Sequence, residues 1–143
     1  MPTYMRERVC VQVSVARMLR NAGATYREDF VGPDKLHAIA LSVPGPTERF
    51  VAIEADGPTS YSRVEPWRET GDCAARRRAL QCMGWIVMNV KHAEWRAIAK
   101  ARDRKVAFRA ALERAALDAG EAEAAVARWL ENKKMRVIHG RFF

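Results

Sequence analysis

Apolar and polar positions change their period several times along the 143-residue chain, and the changes mark its elements. Two periods overlap in "RERVCVQVSVARMLRNAG". Val9, Val11, Val13 and Val15 alternate as a strand would, whereas Val9, Val13, Ala16 and Leu19 or Arg20 keep helical spacing and Gly23 suits a C-terminal stop. The segment is read as a helix. "KLHAIALSV" and "RFVAIEA" are short aliphatic runs separated by the turn chemistry of "PGPTE", which predicts a β-hairpin. After "DGP", residues 59–71 show little periodicity and predict a loop, long enough without structure of its own to point to function. Asp72 is placed to cap a helix to about Met83, Gly84 closes it, and "WIVMNV" predicts a third strand. "HAEW" reads as a loop or short turn. Helices follow from about Asp103 to Ala119 and from about Glu121 to Lys133, parted by Gly120, with Val126, Trp129 and Leu130 on one face of the second. "RVIHGRFF" is too short to assign. The pattern is α/β: a small mixed sheet flanked by helices, with a C-terminal helical extension.

A hydrophobic content of 49% over this length fits one domain with a single core. The expected division is an N-terminal helix over 1–24 packed on a domain over 25–112, and the extension over 113–143. Apolar runs are broken every few residues by Arg, Lys or Glu, far short of the roughly 20 that span a membrane, so no membrane partner is expected. Cys10, Cys73 and Cys82 form no CxxC, and only His37, His92 and His139 could complete a zinc set, so no metal is expected there. Reduced, packed thiols are the simplest reading and argue for an intracellular compartment.

The formal net charge of +8 is divided unevenly. Residues 1–66 hold eight bases and eight acids, so residues 67–143 carry the whole excess. Such asymmetry points to a polyanionic partner, nucleic acid first and an anionic membrane surface second, against the bland reading of a merely soluble basic protein.

Four places could carry chemistry. In "IEADGPTSY", Glu54 and Asp56 share one side of a strand tip, as a metal-dependent phosphodiesterase needs and as a structural ion-pair network also needs. In the helix that follows, Cys73, Leu80 and Met83 lie on one stripe with Arg76 in its middle, while Arg77 lies to one flank and Arg78 points largely away. A cation on that stripe wants an anion, and Arg77 and Arg78 are either phosphate contacts or a solvated face. In "KHAEW", His92, Glu94 and Trp95 could meet RNA, with Lys91 on the phosphate and Trp95 either stacking on a base or packing in the core, the core reading preferred. Tyr61 and Trp67 are better stacking candidates, since the loop sets them outward and Arg63 and Arg68 flank them. Trp85 is expected in the core, and Trp129 is expected to dock the last helix.

"IEADGPTSY", "ETGDCAARRRAL", "MGWIVMNV", "HAEW" and "RKVAFRAAL" together resemble, in order and spacing, the RAP domain, an RNA-binding domain abundant in apicomplexans. The resemblance runs from about Asn21 to Leu112. It implies a restriction-endonuclease-like fold close to the very short patch repair endonuclease, and a role in RNA processing, stability, translation or ribosome assembly in mitochondria or chloroplasts. It also implies that Glu54 and Asp56 are the family's strand-end acids, Gly57 and Pro58 its turn, Arg76 and Arg78 its basic helix positions, and Gly84–Trp85 and Glu94–Trp95 its two dipeptides. The chain departs from the pattern at Ala38, where an acid is usual, at Ser60 in place of a histidine, and at Arg76 in place of a lysine.

Those departures bear on catalysis. Two carboxylates need a further acid or histidine to complete a magnesium shell, and Ala38 removes the likeliest third ligand; Asp34 precedes the strand and His37 should face the other way. An Arg76 guanidinium facing the sheet can bridge Glu54 or Asp56 and neutralise the charge a metal would otherwise occupy. The expectation is a degenerate site without turnover and without cofactor, in an RNA-binding protein that meets ribosomal RNA within a mitochondrial ribosome or its precursor, beside other proteins of that ribonucleoprotein. The rivals are a magnesium-dependent endonuclease acting on RNA or DNA, and a protein-interaction module. The Arg-rich N-terminal segment also fits part of a mitochondrial transit peptide, although its punctuation favours a helix kept in the fold.

Overall fold

The computed structural model describes residues 3–21, 26–31, 38–56 and 71–131. Its elements are α1 (Thr3–Asn21), β1 (Arg27–Val31), β2 (Ala38–Pro44), β3 (Phe50–Asp56), α2 (Gly71–Cys82), β4 (Ile86–Lys91), α3 (His92–Ala97), α4 (Ala101–Asp118) and α5 (Glu123–Glu131). The strands form one mixed sheet in the order β1-β2-β3-β4. The first two pairings are antiparallel and β3–β4 is parallel. A parallel neighbour cannot be reached by a hairpin, so the chain passes through α2 between β3 and β4. The α/β architecture with a C-terminal helix is the one the sequence pattern predicts.

Helical packing settles the ambiguous N-terminal valines. Val11, Val15, Ala16 and Leu19 are buried and Val13 is 46% exposed, so the buried stripe is offset from the one expected through Val13. This stripe shares one core with Leu41, Val43, Val51 and Ile53 of the hairpin, Ile86, Met88 and Val90 of β4, Phe108, Leu112 and Ala116 of α4, and Val126 and Trp129 of α5. The opposite face carries a smaller cluster, Ile39, Ala52 and Leu80, with Trp85 and Val87 packed against it. Strict alternation would put Ile39 with Leu41, so the strand turns over between them, and the β2–β3 register ends at the Leu41–Ile53 pair. Beside this point β1 holds Asp29 at φ 45°, a conformation Asp tolerates, and its carboxylate accepts a 2.9 Å hydrogen bond from Gln12 Nε2 of α1.

Gly84 and Gly120 end their helices as the sequence predicts, and Gly23 lies outside the described residues. Gly84 N donates to Gln81 O and Trp85 N to Leu80 O; Gly120 N donates to Leu117 O and Glu121 N to Ala116 O. Each pair is a Schellman closure with glycine at positive φ, +95° and +89°. Arg49 ties the two corners together: its Nε donates to Gly84 O over 3.1 Å and its Nη1 to Ala119 O over 2.8 Å. Glu121 lies 3.7 Å from the same guanidinium and accepts from Thr47 Oγ1.

Four expectations need correction. β1 has three charged residues in five, as a charged sheet edge does, and so shows no alternation to read. "HAEW" is the start of the helix α3, which forms because Trp95 packs into the core. Trp85 is half-buried at the Schellman corner, its ring 6.3 Å from that of Phe50, and Met83 is exposed. α2 begins at Gly71, so Asp72 lies in its first turn instead of before it. The "RVIHGRFF" tail, Asp34 and His37 lie outside the described residues.

Candidate nucleic-acid interface

The parallel pair β3–β4 brings two sequence-distant motifs to one end of the sheet. Its register sets Glu54 beside Asn89 and Asp56 beside Lys91. Glu54 shares a strand face with Ala52, two residues or about 6.6 Å away. Leu80 of α2 packs on that face, and Arg76, one turn earlier and about 6 Å along the helix axis, is thereby aimed at the same face. The two spacings match. Arg76 Nη2 donates to Glu54 Oε1 over 2.9 Å, with the Glu54 side chain 9% exposed and that of Arg76 32%.

A carboxylate this buried requires a charged or multiply hydrogen-bonding partner, and Arg76 supplies one. The pair also tests whether a divalent cation fits. Glu54 Oε1 already accepts from a guanidinium, and among the described residues no group of three His, Cys, Asp or Glu side chains could hold a metal ion. The described donors therefore do not fit a magnesium shell.

The remaining candidates fall in three groups. Arg77 is half-buried and engaged in a contact within the chain, whereas Arg78 is exposed. Lys91 is half-exposed and lies 3.7 Å from Glu94, a surface pair of little energetic weight, and His92 is half-buried at the start of α3. Tyr61, Arg63, Trp67 and Arg68 lie outside the described residues.

Trp95 is a packing residue. It is 5% exposed, its Nε1 donates to Ser14 Oγ over 2.9 Å, and the Arg104 guanidinium stands 5.4 Å from its ring centroid. Arg104 also donates from Nε to Ile98 O, joining α1, α3 and α4 at one point. Beside it, Asn89 and Lys91 of β4 and Ala107, Ala111 and Arg114 of α4 line an open groove of about 660 Å³. The alanines leave this space because their side chains stop short of the strand.

Sequence reasoning missed the cations after Trp95. Residues 91–109 hold seven Lys or Arg against two acids, and Arg96, Lys100 and Arg102 are exposed. The available signal was the local count, which division of the chain into halves blurred.

Residues 53–109 match the family model of the RAP domain. The matched stretch begins one residue before Glu54 and takes in Arg76, Trp95 and the cations that follow it. No curated protein and no solved structure matches the chain. Among the described residues no helix is long and apolar enough to cross a membrane.

Proposed function

We propose, from the match of residues 53–109 to the RAP-domain model, that the chain is an RNA-binding protein acting without turnover, in organellar RNA metabolism. RNA binding is the function this domain suggests. The observation that carries the reading is the coincidence of the matched stretch with the seven-to-two excess of bases over acids in residues 91–109. Counterion release from phosphates is the largest general source of affinity for nucleic acid, and a surface of that balance supplies it. Arg77, Arg78, Lys91 and His92 contribute on the α2 side and at the sheet end, and Tyr61, Arg63, Trp67 and Arg68 are the proposed base-stacking and flanking set.

The finer reading is ribosomal RNA, held beside other proteins in a mitochondrial ribosome or its precursor. Its support is the family resemblance and the size and charge of the chain. Ultraviolet crosslinking in cell extract, followed by sequencing of the bound RNA, tests it: enrichment of mitochondrial ribosomal RNA is expected, and enrichment of other transcripts alone would reject it. The endonuclease alternative is weighed by incubating labelled RNA and DNA with the protein and magnesium or manganese. Equal background cleavage by the wild type and Asp56→Ala is the expected result; loss of a wild-type cleavage in the variant would replace the binding-only reading.

A further inference from the structure

We propose that the chain grips the RNA backbone mainly through one stripe of cations, Arg102, Lys105 and Arg109 on α4, continued by Arg96 and Lys100 at the α3–α4 junction. This rests on the RNA-binding reading and goes beyond it by assigning the contact surface.

Arg102, Lys105 and Arg109 stand at i, i+3 and i+7. At about 100° per residue they fall within about 60° of one another, and they extend about 10 Å along the helix axis. Phe108 and Leu112 fix the buried face of α4, and the groove along β4 takes Ala107, Ala111 and Arg114 from one flank. The stripe borders the buried face on the side away from the groove, with Lys105 and Arg109 along the same line of the helix as buried Ala116. Lys105 and Arg109 are half-buried, as long side chains beside that face are, and Arg102 is exposed.

Ion pairs between described residues engage Arg49, Arg76 and Lys91, and among the described residues none engages Arg96, Lys100, Arg102, Lys105 or Arg109. Their position also carries a penalty. Lys100 is the N-cap of α4 and Arg102 sits in its first turn, where a cation opposes the helix dipole, and Asp103 is the sole first-turn acid. Stability alone would favour the opposite sign at both positions, so a cationic entry fits a demand from a ligand. The neighbouring aromatic, Trp95, is buried, and Val106 beside the stripe is 64% exposed. The stripe therefore offers phosphate contacts without a stacking platform, which suits the backbone and leaves base contacts to other residues.

The test is the salt dependence of affinity for a labelled 30-nucleotide single-stranded RNA. Each phosphate neutralised on a single strand adds about 0.7 to the slope of log affinity against log salt. The variant Arg102→Gln/Lys105→Gln/Arg109→Gln should flatten the slope by about 2 units. Glutamine keeps much of each stem and a good helix propensity, and circular dichroism melting confirms the fold of each variant. The comparison is Arg17→Gln/Arg128→Gln, which removes exposed cations from α1 and α5 and should keep the wild-type slope. Wild-type affinity and slope in the triple variant, with RNA binding by the wild type intact, would overturn the stripe and leave RNA binding standing. Equal losses per charge removed in both variants would reduce the effect to net charge and overturn it as well. Absence of RNA binding by the wild type would remove both readings.

Discussion

The guanidinium of Arg76 closes on the buried carboxylate of Glu54 over 2.9 Å, joining α2 to the end of β3. Removing one member of such a pair leaves the other charge in a poor environment, whereas removing both does not. With Arg76 about one-third exposed, solvent screening lowers the buried-pair penalty, and Arg76→Met should cost about 1–3 kcal/mol. The double variant Glu54→Leu/Arg76→Met should be more stable than Arg76→Met alone. Urea denaturation of the wild type, Glu54→Leu, Arg76→Met and the double variant checks this; additive losses would show that the two side chains are not coupled.

The same pair predicts the response to metal. A ligand at ten times its dissociation constant stabilises the folded state by about 1.4 kcal/mol, which moves the melting temperature of a domain this size by several degrees. Because Glu54 Oε1 accepts from Arg76, 10 mM manganese should leave the wild-type melting temperature within about 1 °C of its metal-free value. A rise of several degrees that disappears in Asp56→Ala would show that the acid corner binds a cation despite the arginine.

How much of this was legible in the sequence depends on whether a signal was local. Gly84 and Gly120 could be read as helix ends because a left-handed residue is a local demand, and the hairpin because its turn residues sit between two aliphatic runs. The meeting of Arg76 with Glu54 was foreseeable from one helix turn and one strand step, once α2 was placed on the sheet. β1 was not, since a charged edge strand hides its period, and neither was α3, whose six residues form a helix through the burial of Trp95. Arg49 gave no signal at all. Its role depends on two glycine corners, 35 and 70 residues away, reaching the same hairpin turn.

Arg49 should accordingly matter more than an exposed turn arginine would. Arg49→Ala withdraws a charged donor from the carbonyl oxygens of Gly84 and Ala119 and parts Glu121 from its cation. Hydrogen bonds to charged groups are worth about 1.5–3 kcal/mol each when buried, and with the side chain about one-third exposed the expected total loss is about 2 kcal/mol. Arg49→Lys should recover little, because one ammonium lacks the planar fork that serves two corners at once. Thermal melting checks both variants, and full recovery by lysine would reduce the contact to simple charge attraction.

At Gly45 the limit is steric. Its N donates to Arg49 O over 3.0 Å, and a Cβ there would collide with that carbonyl oxygen, which is backbone and cannot swing away. Gly45→Ala should therefore destabilise by about 1–3 kcal/mol through a displaced hairpin turn. It should also weaken the coupling of Arg49 to its two corners, so a second substitution, Arg49→Ala, should cost less in the Gly45→Ala background than in the wild type. Equal cost in both backgrounds would place the strain elsewhere.

Trp95 separates packing from recognition. If it stacked on a base, loss of its ring would lower RNA affinity by about 1–3 kcal/mol. Its burial and the Nε1 bond to Ser14 Oγ assign it to the junction of α1, α3 and α4 instead. Trp95→Leu should cost about 2–4 kcal/mol of stability from lost volume, with a smaller part from the cation over the ring. The milder Ser14→Ala, which removes the acceptor for Trp95 Nε1 and one acceptor for Arg104, should cost about 1–2 kcal/mol. Both variants, titrated with RNA at a temperature where they remain folded, should bind with wild-type affinity. A matching loss of affinity in Trp95→Leu but not in Ser14→Ala would return the indole to the RNA surface.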